Sequence, residues 1–391
     1  MFKYLKFGNI SPMHHTAHYV NGHLMSEYCF TRQGFEDFYS ILYFYHPPTS
    51  ESERIIYKEA QWGMPRKRET TMLERRHFHS RRIQAGGNFI SGRTLLAFND
   101  DLTYGIGHPE HCVDTFFANN EADELFFLAE GRIHFQSLFG TLDLEAGDYL
   151  LIPRSCPYRF RFEKAPRLVY VEAKKDLSIP KEYINDRGQL KMDAPYSERS
   201  FKTPEWDEPL FSSDEPVSIV RKRQGIFTRT DYPQNYFKMS GWDGYVYPFA
   251  INIDRIQPKT GRVHLPPVSH MTFTGGGFAI MTFLPRVLDF DEQAVPCPFY
   301  HSSVNCDELL FYHSGDFTSR KTIGPGSISF HPSGIPHGPH PGAYKNSIGL
   351  KKTNEQAVMV DTFAPLYLTP ESQYPEDPDY PKSWQEAAHE S

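Results

Sequence analysis

The stretch Ala122–Phe160, ADELFFLAEGRIHFQSLFGTLDLEAGDYLLIPRSCPYRF, has a counterpart further along the chain in Cys306–His340, CDELLFYHSGDFTSRKTIGPGSISFHPSGIPHGPH. Both open with Asp-Glu-Leu and an aromatic-rich strand that runs to a glycine, Gly131 or Gly315. Both reach a second glycine at a turn (Gly147, Gly326), then a short apolar strand and two prolines (Pro153 and Pro157, Pro332 and Pro336). The offset is 184 residues at the glutamates, Glu124 and Glu308, and 179 at the prolines, so one hairpin differs in length, as loops tolerate. Strand, hairpin, strand, glycine turn, strand and proline-rich exit is the pattern of a small antiparallel barrel. Two copies predict a mainly β chain of two jelly-roll barrels.

Such a bicupin agrees with the composition. The 391 residues include 31 Phe, 23 Tyr, 31 Pro and 27 Gly, which favours short strands joined by turns over long helices. A formal net charge of −7 argues against a nucleic-acid partner. The one basic run, Pro65–Ile83, is broken by Glu69 and Glu74 and reads as a solvated face or subunit contact. No apolar run approaches the ~18–20 residues of a membrane helix. The amino terminus shows no secretory signal. Five scattered cysteines without a CxxC pair fit a reducing cytoplasm and argue against a disulfide scaffold or a cysteine zinc site.

The other segments arrange themselves around the two copies. Residues 1–90 carry the strand-like YSILYFYHPPT (Tyr39–Thr49) and form an appended N-terminal sheet region. Residues 91–175 are a degenerate barrel without metal, 176–240 a polar, proline-rich connection, and 241–366 a metal-binding barrel. The polar tail, 367–391, is expected to cross a neighbour or fray.

The two copies differ where chemistry is at stake. By the offsets above, His301, Glu308 and His337 correspond to Phe117, Glu124 and Tyr158. Only the second barrel therefore offers two imidazoles and a carboxylate, the ligand set of an Fe(II) facial triad. Zinc with two histidines, a glutamate and water is the competing choice from ligand type alone. His331, six residues before His337, is expected to face the same cavity, and His270 is either a hydrogen-bonded wall residue or a catalytic base. His340 is read as orienting its neighbours, and His264 and His313 as structural. The signatures of phosphate loops, HExxH metalloproteases and Ser-His-Asp hydrolases are absent.

From about Gly241 to Leu366, through GWDG, FYHSSVNCDELLFYHSGDF, GSISFHPSGIPHGPHPG and VDTFAPL, the chain resembles the homogentisate 1,2-dioxygenase family. The likeness extends more weakly over the N-terminal YSILYFYHPPT and the first barrel. It implies an Fe(II) enzyme that opens an aromatic ring with O₂, taking homogentisate to maleylacetoacetate in tyrosine and phenylalanine breakdown. It implies iron ligands at His301, Glu308 and His337, an acid–base histidine at His270 and a histidine near the substrate hydroxyl at His331. Phe317, His337 and His340 are the expected substrate-binding positions, and a homo-oligomer is expected. Two departures stand out. Six residues separate His301 from Glu308, one more than the family pattern, which a β-bulge would absorb. Phe317 stands where the family has a substrate-contacting tyrosine. A related hydroquinone or gentisate-like acid is therefore the nearest alternative substrate, and a non-catalytic metal-binding bicupin the alternative from another class.

Overall fold

The computed structural model describes residues 3–69, 72–317, 320 and 322–384. The repeat appears in it as two sheets with the same strand order. In the first, Asp148–Ile152, Asp123–Glu130, Arg167–Ala173, Leu102–Gly107 and Arg93–Phe98 are successive antiparallel neighbours. In the second, Ser327–His331, Asp307–Ser314, Gln356–Thr362, Phe278–Phe283 and Met271–Gly275 repeat that order. Register is preserved as well. Glu124 lies opposite Ile152 as Glu308 lies opposite His331. Phe117 bridges Tyr158 as His301 bridges His337.

Local chemistry explains these elements. The four matched glycines, Gly131, Gly147, Gly315 and Gly326, all have positive φ, where a side chain is strained. The outer hairpin Arg132–Ser137 and Gly140–Glu145 alternates, with Ile133, Phe135, Leu142 and Leu144 turned inward. Asp123–Glu130 and Asp148–Ile152 are instead buried along nearly their whole length, because both faces are covered. The second barrel covers the outer face: Phe127 meets Phe311 and His313, and Tyr149 meets Phe273 and shares a hydrogen bond with Thr282.

The segments outside the copies are woven into the sheets. Tyr39–Phe44 is a strand, as its sequence predicts, in a four-stranded sheet with Leu5–Gly8, Ser26–Thr31 and Met239–Gly244. The segment 176–240 does more than connect. Its hairpin Val217–Arg223 and Ile226–Tyr232 continues the outer sheet of the first barrel, running parallel to Phe116–Asn119. Gln224 and Gly225, both at positive φ, make the two-residue turn that suits such a hairpin.

The basic run and the tail meet each other. Arg76–His79 pairs with Ser327–His331 in the second barrel, and Arg68 and Arg76 both form ion pairs with Glu376. The run therefore finds its counter-charge largely within the chain and is not simply a solvated face. Tyr367–Leu368 pairs with Arg93–Phe98, and Asp377 and Tyr380 pack near the run. The described part of the tail thus lies on its own chain, fixed by charge and strand pairing; residues 385–391 lie outside the described residues. The extra residue between His301 and Glu308 sits in a loop. The register shift in Asp307–Ser314 falls later, at Tyr312/Ser314, so no bulge absorbs it.

Candidate metal centre

Three side chains from different parts of the second barrel converge on one point. Glu308 lies near the start of its strand, and His301 and His337 are joined by mutual backbone hydrogen bonds of 2.8 and 2.7 Å. His337 Nε2 is 3.0 Å from Glu308 Oε2 and His301 Nε2 is 3.4 Å from Glu308 Oε1. Each imidazole has its other nitrogen, Nδ1, 2.9 Å from a backbone carbonyl, Ile335 for His337 and Phe299 for His301. Nδ1–H donation to those carbonyls leaves both Nε2 lone pairs aimed at the carboxylate, the tautomer a metal ligand needs. The ligand atoms of His301, Glu308 and His337 all lie within 4.8 Å of one another.

The first barrel shows what this geometry requires. There Glu124 accepts 2.5 and 2.8 Å hydrogen bonds from Arg93 Nη1 and Tyr158 Oη, and Arg93 also donates to Tyr158. The guanidinium lies among the rings of Trp62, Phe117, Phe126 and Tyr170. A buried carboxylate demands a cation, and here the chain supplies its own. No lysine or arginine forms an ion pair with Glu308 among the described residues; it meets His301, His331 and His337. Two oriented imidazoles and a buried carboxylate with no lysine or arginine in ion-pair contact among the described residues fit a divalent metal.

The electrostatics follow from burial and these contacts. Burial alone would raise the Glu308 pKa, but hydrogen bonds from His301, His331 and His337 outweigh it and hold the carboxyl well below its usual range. The hydrogen bond to Glu308 raises the His301 pKa. His331 is buried; its Nδ1 lies 3.3 Å from Glu308 and its ring stacks on His337 at 4.5 Å. Burial lowers its pKa to about 3 and that of His270 to about 4, so both are neutral near pH 7.

A cavity of about 310 Å³ opens beside the cluster, with His301, Glu308, Phe283, Phe299, Arg320 and Asp361 among its walls. His270, at the end of the turn Pro267–His270, packs on Phe283 at 5.4 Å. Phe317 packs on Tyr312 at 4.8 Å. His340 stacks on Trp384 at 4.1 Å and hydrogen-bonds Ser383, against the C-terminal segment. His313 packs between the barrels, whereas His264, read from sequence as structural, is a cavity wall.

Asp361 was not singled out from the sequence. It stands opposite Glu308 on the neighbouring strand, as Glu172 stands opposite Glu124. Glu172 is held by Lys222, Asn119 and Thr103, but Asp361 Oδ1 has no hydrogen-bond partner among the described residues. Burial and the nearby Glu308 raise its pKa to about 8, so without a metal it is largely protonated at neutral pH. Extending the repeat comparison beyond His340 would have paired the two carboxylates.

Comparison with known proteins relates the chain to a dioxygenase family. A family model described as homogentisate 1,2-dioxygenase N-terminal matches residues 4–253. That match falls where the sequence resemblance is weaker, and it ends before the metal cluster. A Saccharolobus solfataricus protein with a provisional dioxygenase name is 34% identical, covering 98% of this chain and 99% of that one. The homogentisate 1,2-dioxygenase of Bradyrhizobium diazoefficiens is 24% identical over 72% of this chain, a match that spans 66% of that enzyme. Among solved structures, a cupin 2 conserved barrel domain protein from Leptotrichia buccalis matches 73% of this chain and 95% of its own at 9% identity and a TM-score of 0.34.

Proposed function

The chain belongs to the homogentisate 1,2-dioxygenase family, and we propose that it is an Fe(II)-dependent dioxygenase that opens the ring of homogentisate. The observation that carries this reading is the convergence of His301, Glu308 and His337 in the barrel whose central glutamate has no lysine or arginine ion pair among the described residues. Fe(II), when bound there, supplies an electron path between an aromatic ring and O₂ and a template for both.

The chain's own groups account for the rest. Glu308 stays ionised and contributes one negative charge to the ligand set. His270, neutral near pH 7, accepts a ring-hydroxyl proton as substrate binds. Arg320 lines the cavity, and its Nε and Nη1 have no hydrogen-bond partner among the described residues, which suits a substrate carboxylate. Phe283, Phe299, Leu310 and Met359 give the cavity apolar walls that match a flat ring and keep water out.

Phe317 favours a second reading within the same chemistry. Without the family's phenol at this position, a hydroquinone or gentisate-like acid is the competing substrate. The test is anaerobic Fe(II) loading followed by oxygen-electrode assays with homogentisate, gentisate and hydroquinone. Uptake of one O₂ per homogentisate, with that substrate fastest, is the expected result. Faster turnover of another ring reassigns the substrate, and no uptake with any of them overturns the dioxygenase reading.

A further inference from the structure

Outside the barrel interior, a second group of ligand-type side chains ties the C-terminal segment down. His77 and His79 lie on Arg76–His79, and alternate residues of a strand share a face. Their ring centroids are 4.2 Å apart. Asp377 approaches that face, with its Oδ2 3.4 Å from His77 Nδ1 and 3.7 Å from His79 Nε2.

Backbone contacts fix the three relative to one another. Asp377 N–H donates to the His77 carbonyl, and His79 N–H to that of Pro375, both at 2.8 Å. Asp377 Oδ1 accepts from Asp379 N–H at 3.1 Å, which leaves Oδ2 for the histidines. His77 is 0% exposed, yet neither of its ring nitrogens has a hydrogen-bond partner among the described residues. Leaving a buried polar group in that state is costly unless something else satisfies it.

We propose that His77, His79 and Asp377 form a second metal site, for Zn(II) or a similar borderline transition-metal ion, that staples the C-terminal segment to the barrel. Two imidazoles and a carboxylate are a zinc donor set. Zn–N and Zn–O bonds of about 2.0–2.2 Å place tetrahedral ligands roughly 3.3 Å apart, close to the two separations above. His79 and Asp377 keep side-chain exposures of 32% and 24%, so the fourth position opens to solvent and takes water. The stapled segment carries Tyr380, Ser383 and Trp384, which pack on His340, three residues beyond His337. The site is independent of the reaction proposed for the barrel.

The test is zinc titration of chelator-stripped full-length protein, read by metal analysis, by Co(II) absorption and by thermal melting. His337→Ala removes a ligand of the barrel site, so zinc bound in that variant reports on the staple. One Zn(II) per chain is expected, with a raised melting temperature and a tetrahedral Co(II) spectrum. Adding His79→Ala or Asp377→Asn, both at partly exposed positions, should weaken zinc binding by more than ~100-fold, beyond the effect of losing a supporting group. The same two changes in the otherwise wild-type chain should remove one zinc and keep one. No zinc in His337→Ala, or zinc binding indifferent to both His79→Ala and Asp377→Asn, overturns the proposal and leaves a plain hydrogen-bonded clip.

Discussion

Glu124 and Glu308 are the same residue in the two copies, with opposite demands on their surroundings. Glu124 has a permanent cation in Arg93, whereas Glu308 faces imidazoles and awaits one. Glu124→Gln should therefore cost about 3–5 kcal/mol in urea unfolding, because Arg93 is left buried without its counter-charge. Its metal content should not change. Glu308→Gln should lower Fe(II) affinity by more than ~100-fold, with a smaller effect on the unfolding midpoint of the metal-free protein. His270 is distinguished in the same way. His270→Asn should keep its iron and lose roughly 10²–10⁴ in turnover, the loss typical of a general base. Metal analysis beside kcat checks this, and loss of iron instead would make His270 a ligand.

At the scale of elements, the Asp-Glu-Leu strand shows why the repeat could be read at all. Its aspartate anchors two segments in each copy. Asp307 accepts 2.7 Å hydrogen bonds from the N–H groups of Ser333 and Leu366, and Asp123 accepts from those of Arg154 and Leu177 at 2.8 and 3.1 Å. Hydrogen bonds to a charged group contribute ~1.5–3 kcal/mol each, so Asp307→Ala should destabilise by about 3 kcal/mol or more in urea titration. It should also weaken metal binding, because Ser333 begins the loop that carries His337. Asp123→Ala should leave metal binding intact. The two offsets, 184 at the aspartates and glutamates and 179 at the prolines, put His301 and His337 at the positions of Phe117 and Tyr158. The residues that converge on Glu308 could therefore be singled out from the sequence, whereas their pairing as a bridge could not. Asp361 was not, because its strand lies past the quoted repeat and its neighbour Glu308 is distant in sequence. The hairpin Val217–Tyr232 was masked by its polar outward residues; its Gln-Gly turn was the available signal.

Across the whole molecule, buried neutral histidines set the acid limit of stability. His77 and His270 have pKa values lowered to about 4, and His331 to about 3, in each case chiefly by burial. The unfolded chain protonates all of them near ~6.5, so below that pH it binds protons that the folded chain refuses. Each of these histidines contributes stability that is present above ~6.5 and falls by up to ~1.4 kcal/mol per pH unit as acid is added, down to its folded value. His301 has the opposite sign. Its pKa is raised by Glu308, so it contributes stability below ~6.5 that is lost as pH rises through the folded value. Asp361 also opposes the three in that window, because the folded chain holds its proton below about pH 8 while the unfolded chain keeps the group ionised down to ~3.9. The three histidines, joined by His79, His108, His264 and His313, whose values burial also lowers, outnumber these opposing groups. The metal-free chain should therefore lose stability from about pH 6.5 towards pH 4. Metal loading should steepen the loss. A metal requires neutral His301, so its affinity falls as pH drops through that raised value and its stabilisation disappears over the same range. Urea unfolding of stripped and iron-loaded protein at half-unit intervals from pH 8 to pH 4 measures both effects. Two converging curves that fall with acid are expected; a metal-free curve that is flat or rises below pH 6.5 would mean that these histidines accept protons in the folded chain.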